Sequence, residues 1–281
     1  MKFWMNGKLV TRKHIQLSPF DHGLLYGHGS FETFRSYRGK VPFLHYHYTR
    51  LLQTLHVLGI VFPYSEEAIE KAVDQLLAQT GGGDCIFRLS VTAGEWQVDG
   101  YTKPNVWMTA AMLSSSSSMR GVEKRGKWLS TCHKGRGDLL DVRGFHYSDM
   151  RSGQLELANP LKYEGLLLNE HDIVTESIRS NVFFAKNDIL YTPALSLGIV
   201  KGITREWVIT LAKEIGFEVR EGEFDREELE SAHECFLTNA IDELIPLSRI
   251  GRSEFAGNEG LVYKRLHQAY VYIIEQRLKG D

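Results

Sequence analysis

Cysteine is scarce in this chain: Cys85, Cys132 and Cys235 are the only three. They are odd in number, far apart and contain no CxxC pair, which argues against a disulfide framework or a zinc ribbon and fits a reducing cytoplasm. Net charge is also lacking. With 33 Lys and Arg against 35 Asp and Glu, the formal charge is -2. No basic tail or stripe stands out, so the electrostatic footprint of a nucleic-acid binder is missing. Nowhere do about eighteen apolar residues run together, and the N-terminal MKFWMNGKLV has no long apolar segment; neither a membrane span nor a secretion signal is expected. What remains is 281 residues, 43% apolar and 24% charged, enough for two ordinary domains with sizeable cores.

The most informative stretch runs from Glu164 to Arg205. Apolar and β-branched runs at 166–169, 173–176, 181–186 and 189–192 are broken by Asn-Glu-His-Asp and Asn-Asp, which predicts two hairpin-like strand pairs. Gly202-Ile203-Thr204 then opens a helix, with Ile203, Trp207, Val208, Leu211, Ala212 and Ile215 at helical spacing and Gly216 as its stop. A Gly-x-Thr entry leaves backbone N–H groups at a positive helix end beside a hydroxyl, the chemistry of an anion cup. Alone it equally describes an ordinary capped helix. Glu176 ends a strand upstream, where a carboxylate faces the same region.

Elsewhere, Asn6-Gly7 marks an N-terminal hairpin over 3–10. Residues 18–34 place Gly23, Gly27 and Gly29 before an alternating strand, on which Thr33 and Arg35 share a face. Helices are predicted over 44–58 and 65–79, the second capped by Ser65 and closed by Gly81-Gly82-Gly83, with strands over 86–93 and 106–113. The five serines at 114–118 have linker composition, which sets the expected boundary between an α+β domain of residues 1–118 and a larger one of 119–281. Asp225 with Glu228 forms a capping-box pattern, and 259–279 is a closing helix. His22, His28, His45, His47 and His146 match no metal-ligand spacing, so no metal site is expected.

The ordered set Val174-Thr175-Glu176, Ser180-Asn181-Val182-Phe183, Tyr191-Thr192-Pro193, Gly198-Ile199 and Gly202-Ile203-Thr204-Arg205 resembles the signature of the class IV (fold type IV) pyridoxal phosphate enzymes. This family includes branched-chain and D-amino-acid aminotransferases and 4-amino-4-deoxychorismate lyases. Phe31-Glu32-Thr33 resembles its pocket-wall strand, His47-Tyr48-Thr49-Arg50-Leu51 its His-x-x-Arg-Leu, and Glu234-Cys235-Phe236-Leu237-Thr238-Asn239 its Glu-x-Phe-Leu-Thr-Asn. The resemblance implies a two-domain α+β fold with the active site between domains, a cytoplasmic homodimer, pyridoxal 5'-phosphate as cofactor and an amino-acid-like substrate. It assigns the cofactor to Arg50, Glu176, Ser180, Asn181, Gly202, Ile203, Thr204, Thr238 and Asn239, and the substrate pocket to Tyr26, Thr33, Arg35 and Arg88.

One position departs from the pattern. The family's Schiff-base lysine falls in Val142-Arg143-Gly144-Phe145-His146-Tyr147-Ser148-Asp149, where Arg143 takes its place and Ser148-Asp149 replace the usual Leu-Asn. A guanidinium stays protonated and offers only donors, so it does not act as the amine. Lys134, Lys162 and Lys201 are the nearest alternative amines. Asp21-His22-Gly23, Ser180-Asn181 and Thr238-Asn239 resemble the lyase branch, which eliminates pyruvate to give 4-aminobenzoate in folate synthesis. The alternatives are a D- or branched-chain amino-acid aminotransferase, and a catalytically silent paralogue that binds pyridoxal or pyridoxamine phosphate non-covalently.

Overall fold

A computed structural model of the chain describes residues 2–97, 100–101, 103–113, 121–130, 144–145 and 148–280. It divides into two compact units, Met1–Ser118 with Val142–His146, and Met119–Asp141 with Tyr147–Asp281.

In the first unit, β1 (Lys2–Met5) and β2 (Lys8–Thr11) form the expected Asn-Gly hairpin, with Asn6 and Gly7 both at positive φ. A short helix, α1 (His22–Tyr26), is capped by Asp21. It leads to β3 (Gly29–Arg35), α2 (Leu44–Val57), α3 (Glu66–Thr80), β4 (Cys85–Thr92), the small hairpin of β5 (Trp96–Gln97) and β6 (Gly100–Tyr101), and β7 (Asn105–Met112). The main sheet has the order β2-β1-β7-β4-β3. Because side chains alternate along a strand, Phe34, Phe87, Leu89, Val106 and Met108 share one face, where they meet Leu51, Leu55, Ile69 and Leu76 of the two helices in a single core. The opposite face carries Phe31, Thr33, Arg88, Ser90, Trp107 and Thr109, paired strand to strand.

The second unit runs through β8 (Lys124–Trp128), α4 (Ser148–Leu155), β9 (Tyr163–Leu168), β10 (Val174–Ser177), β11 (Asn181–Lys186), β12 (Ile189–Pro193), α5 (Ile203–Glu214), β13 (Glu218–Gly222), α6 (Arg226–Glu230), β14 (Glu234–Asn239), β15 (Glu243–Ile250), β16 (Ser253–Glu254) and α7 (Leu261–Lys279). The sheet order is β10-β9-β8-β15-β14-β11-β12-β13, and a further β10–β11 pairing closes the first six strands into a ring. One side of the ring is an apolar cluster of Leu166, Leu168, Val182, Phe184, Leu237, Ile245 and Leu247. The alternate residues of β11 and β14 include Phe183 stacked on Phe236, whose ring in turn lies against Tyr263 of α7.

The predicted helix ends hold to within a residue or two. Asp225 and Glu228 make the reciprocal capping box, and Gly216 follows α5 at φ +91. α7 starts two residues later than expected, after a 3-10 turn at Gly257–Glu259. Its first amides are held by a strand: Glu234 accepts from Val262 N at 3.0 Å and from Tyr263 N at 2.9 Å. A buried carboxylate at a helix N-terminus satisfies two orphan donors and complements the dipole. Glu234→Ala should therefore lower stability by about 1–2 kcal/mol, read as a fall in urea midpoint at unchanged slope.

Candidate active site

In the second unit the site is organised by Asn181, the first residue of β11. It pairs with Glu176 on β10 and with Thr238 on β14, which brings three separate motifs side by side on one face. Its side-chain amide donates to Val200 O at 2.8 Å, while the Val200 amide donates to Glu176 Oε2 at 3.0 Å. The loop before α5 is thereby tied to both strands. At Gly202, the N-cap of α5, an added Cβ would stand 2.0 Å from Asn181 Oδ1, so this position admits only glycine as the loop is placed.

No side chain caps α5, and the first amides of a helix have no partner within it. Thr204 is buried, with its hydroxyl 3.3 Å from Tyr270 OH of α7. Thr238 is buried and its Oγ1 has no hydrogen-bond partner. Asn239 donates to Ser180 Oγ at 3.0 Å and accepts from Ile241 N and Asp242 N, which fixes the turn after β14. Ser180 also closes the β10–β11 turn, where Ser177 N donates to its carbonyl and Ser177 Oγ accepts its amide.

This cradle fits pyridoxal phosphate by its donor set. A positive helix end and an unsatisfied hydroxyl suit the phosphate, and the buried Glu176 carboxylate suits a protonated ring nitrogen. Gly202→Ala would drive a methyl group into Asn181 and displace the loop. The expected result is about tenfold or weaker affinity for pyridoxal phosphate in an absorbance titration, in line with loss of one charge-assisted contact.

The first unit holds a second polar cluster. Arg50 on α2 donates Nε and Nη2 to the two oxygens of Glu32 on β3, at 2.8 and 2.7 Å, and His47 Nδ1 lies 2.7 Å from Oε2. Burial alone would raise the Glu32 pKa, but the Arg50 charge and the hydrogen bonds from His47 and Arg50 outweigh it and hold the carboxyl far below its ordinary range. Glu32 and His47 stand inside the motifs quoted from sequence, where only Arg50 and Thr33 were given a role. The available signal was a carboxylate on the face of β3 that carries Phe34 into the core, with His47 and Arg50 three residues apart on one helix.

The pocket candidates divide. Thr33 and Arg88 are a cross-strand pair on the sheet face away from the helices. Arg35 is buried and bound to Asp84 at 2.9 Å, with its guanidinium 4.4 Å from the Tyr37 ring centroid. Tyr26 ends α1, exposed, edge-on to His22. Arg143 lies outside the described residues, as do Lys134 and His146. Lys162 is exposed, and Lys201 is largely exposed, 3.7 Å from Glu206. Lys124, not considered from sequence, is buried with its Nζ 2.6 Å from Glu164 Oε1, which also accepts from Arg179. Cys85 and Cys235 are buried and free. Among the described residues no group of three His, Cys, Asp or Glu is arranged to hold a metal, and no helix is long and apolar enough to cross a membrane.

A family model for amino-transferase class IV matches residues 29–250, and the chain belongs to that family, whose members use pyridoxal phosphate. It is 34% identical over 273 residues to the aminodeoxychorismate lyase of Bacillus subtilis (strain 168), an alignment covering 95% of this chain and 92% of that one. Its fold is similar to a branched-chain aminotransferase from Thermoproteus uzoniensis with norvaline, at TM-score 0.87 and 26% identity over 98% of this chain and 95% of the other. A T.th. branched-chain amino acid aminotransferase complexed with N-(5'-phosphopyridoxyl)-L-glutamate is similar at TM-score 0.86 and 26% identity over 98% and 94%.

Proposed function

We propose that this chain is a pyridoxal phosphate protein of the lyase branch, acting on 4-amino-4-deoxychorismate to release pyruvate and 4-aminobenzoate. The observation that carries the reading is the Asn181-centred cradle, which joins Glu176, Gly202 and Thr238 within a chain similar to a lyase over nearly its whole length. When bound, the cofactor supplies an electron sink for negative charge at the amine-bearing carbon. Glu176 keeps a proton on the pyridine nitrogen, and the amides of Ile203 and Thr204 with the Thr238 hydroxyl bind the phosphate. Ser180 and Asn239 hold the strand turns beside them. Arg88 and Thr33 offer a guanidinium and a hydroxyl to a substrate carboxylate.

Release of 4-aminobenzoate from the synthetic substrate tests this reading, run beside amino transfer from D-alanine or leucine to a 2-oxoacid. Amino transfer without 4-aminobenzoate would replace the lyase by an aminotransferase. A second reading rests on Arg143 alone: a paralogue that holds the cofactor non-covalently and turns over neither substrate, recognised by tight cofactor binding with both assays silent.

The same reading includes a cytoplasmic homodimer. Phe20, Leu24, Leu25 and Tyr26 expose 68%, 68%, 49% and 63% of their surface within one short segment, a patch that a second copy of the chain would cover. Sedimentation should give twice the monomer mass at micromolar concentration. Phe20→Lys with Leu24→Lys should shift the protein to monomer, and a wild type that sediments as a monomer would remove the dimer from the proposal.

A further inference from the structure

Gly144 and Phe145 lie far along the chain from β3, β4 and β7, yet they pack with those strands in the first unit. Two contacts account for it. Gly144 forms an isolated antiparallel bridge with Ser30 of β3, and the Phe145 ring stacks on both Phe31 and Trp107, at centroid distances of 6.0 and 6.2 Å and interplanar angles of 12° and 14°. Such near-parallel offset stacks are favourable arrangements for aromatic pairs.

The sheet register explains why one ring reaches both walls. Phe31 pairs with Ser90, and Ser90 pairs with Trp107, so the three form one row across three strands on the face away from the helices. Strands are spaced by about 4.8 Å, which puts the outer two about 10 Å apart with a small residue between them. The row is a notch with aromatic walls and a serine floor, and Phe145 fills it. Two further features record the fit. Ser90 is 1% exposed and its Oγ has no hydrogen-bond partner, as expected for a hydroxyl covered by a ring. At Gly29 a Cβ would stand 2.5 Å from Phe145 Cε2 and 2.4 Å from Val91 O, so the chain beside the notch is cleared of a side chain where the ring enters.

We infer that Phe145 is a positioning residue: seated in the Phe31–Ser90–Trp107 notch, it anchors the chain two residues beyond position 143, where the family carries its cofactor-binding lysine. The inference rests on the proposed function for its meaning, since position 143 matters only in a protein that receives pyridoxal phosphate. The clasp itself is a property of the first unit and is measured without cofactor. Guanidinium contact with the same row, Arg88 Cζ at 3.6 Å from the Phe31 centroid, adds a cation to its outer wall.

The test has two arms. In the first, amide hydrogen exchange of the full-length protein without cofactor is followed by mass spectrometry. Phe145→Ala should speed exchange in the peptide spanning 144–145 by about tenfold or more, the loss of two stacked pairs, while β4 stays protected and Phe145→Tyr behaves as wild type. Ser90→Leu keeps the ring but fills the floor of the notch, and should speed the same peptide. In the second arm the variants are placed in an Arg143→Lys protein, treated with pyridoxal phosphate and borohydride, and mapped by peptide mass. Phe145→Ala should lower labelling at residue 143 by about tenfold, with non-covalent affinity for the cofactor changed by less than about twofold. Unchanged exchange in both Phe145→Ala and Ser90→Leu overturns the clasp. Faster exchange with undiminished labelling overturns the positioning role. An Arg143→Lys parent that is never labelled overturns the alignment of position 143 and this inference with it, whereas failure of the exchange arm alone leaves the proposed function standing.

Discussion

On the proposed reading, Arg143→Lys should convert reversible binding of pyridoxal phosphate into covalent binding. The wild-type guanidinium is protonated at every accessible pH and has no lone pair to offer the cofactor aldehyde, whereas a lysine amine in the same place forms the bond once deprotonated. The substitution leaves Glu176, Asn181, Gly202, Thr204 and Thr238 unchanged in sequence, and Glu176, Asn181 and Thr238 are joined through Val200 and the β10–β11–β14 register. Borohydride reduction followed by peptide mapping should therefore find no label in the wild type and a label at residue 143 in the variant, which should also turn yellow. Turnover should recover less fully than labelling, because on the same resemblance Ser148-Asp149 stand where the family has Leu-Asn, and a displacement near 1 Å lowers rates about a hundredfold.

The other lysines set the condition under which this fails. Lys124 is locked against Glu164 in a buried ion pair, and Lys201 points to Glu206 from the exposed entry to α5. A wild-type label on Lys124, Lys134, Lys162 or Lys201 would mean that the amine has migrated or that position 143 is misaligned. The silent-paralogue reading would then be lost.

Local features of this fold were legible in the sequence because local chemistry determines them. Asn6-Gly7 makes its turn, Ser65 and Asp225 cap their helices, and Gly81 and Gly216 end theirs in the left-handed region. Period-2 alternation also put Thr33 and Arg35 on one face, as the register with β4 bears out. Sheet order was not legible. β8 runs parallel between β15 and β9, pairings that join segments far apart in sequence and leave no periodic trace. The same limit applies to the site. Gly202 and Glu176 were found through an ordered motif, but the Val200 amide that links them is a backbone group and has no residue signature. Composition at Ser114–Ser118 likewise says nothing of Phe145, whose place depends on a small residue at 90 between two rings.

Glu32→Ala should be among the most destabilising single changes in the first unit. Glu32 is 1% exposed and accepts three hydrogen bonds from Arg50 and His47; removing it leaves a largely buried guanidinium facing an empty space. Breaking a buried pair from one side costs about 3–5 kcal/mol, against under about 1 for an exposed one. The pH dependence identifies the cause. The folded protein holds the Glu32 carboxyl far below its ordinary 4.5, so its contribution is fully present above pH 4.5 and is lost as pH falls from there toward the depressed folded value. In that window the unfolded state takes up a proton that the folded state refuses, and stability should fall by about 1.4 kcal/mol per pH unit for this group alone. Glu32→Gln keeps the shape and removes the titration, so its stability profile below pH 4.5 should be shallower than wild type by that slope. Urea midpoints taken from pH 6 to pH 3 decide it: parallel profiles for wild type and Glu32→Gln would mean that Arg50 and His47 do not hold this carboxylate. Arg50 spends two donors on Glu32, and a carboxamide retains only one acceptor oxygen, so Glu32→Gln should also loosen the hold on Arg50 while sparing the shape of the cluster.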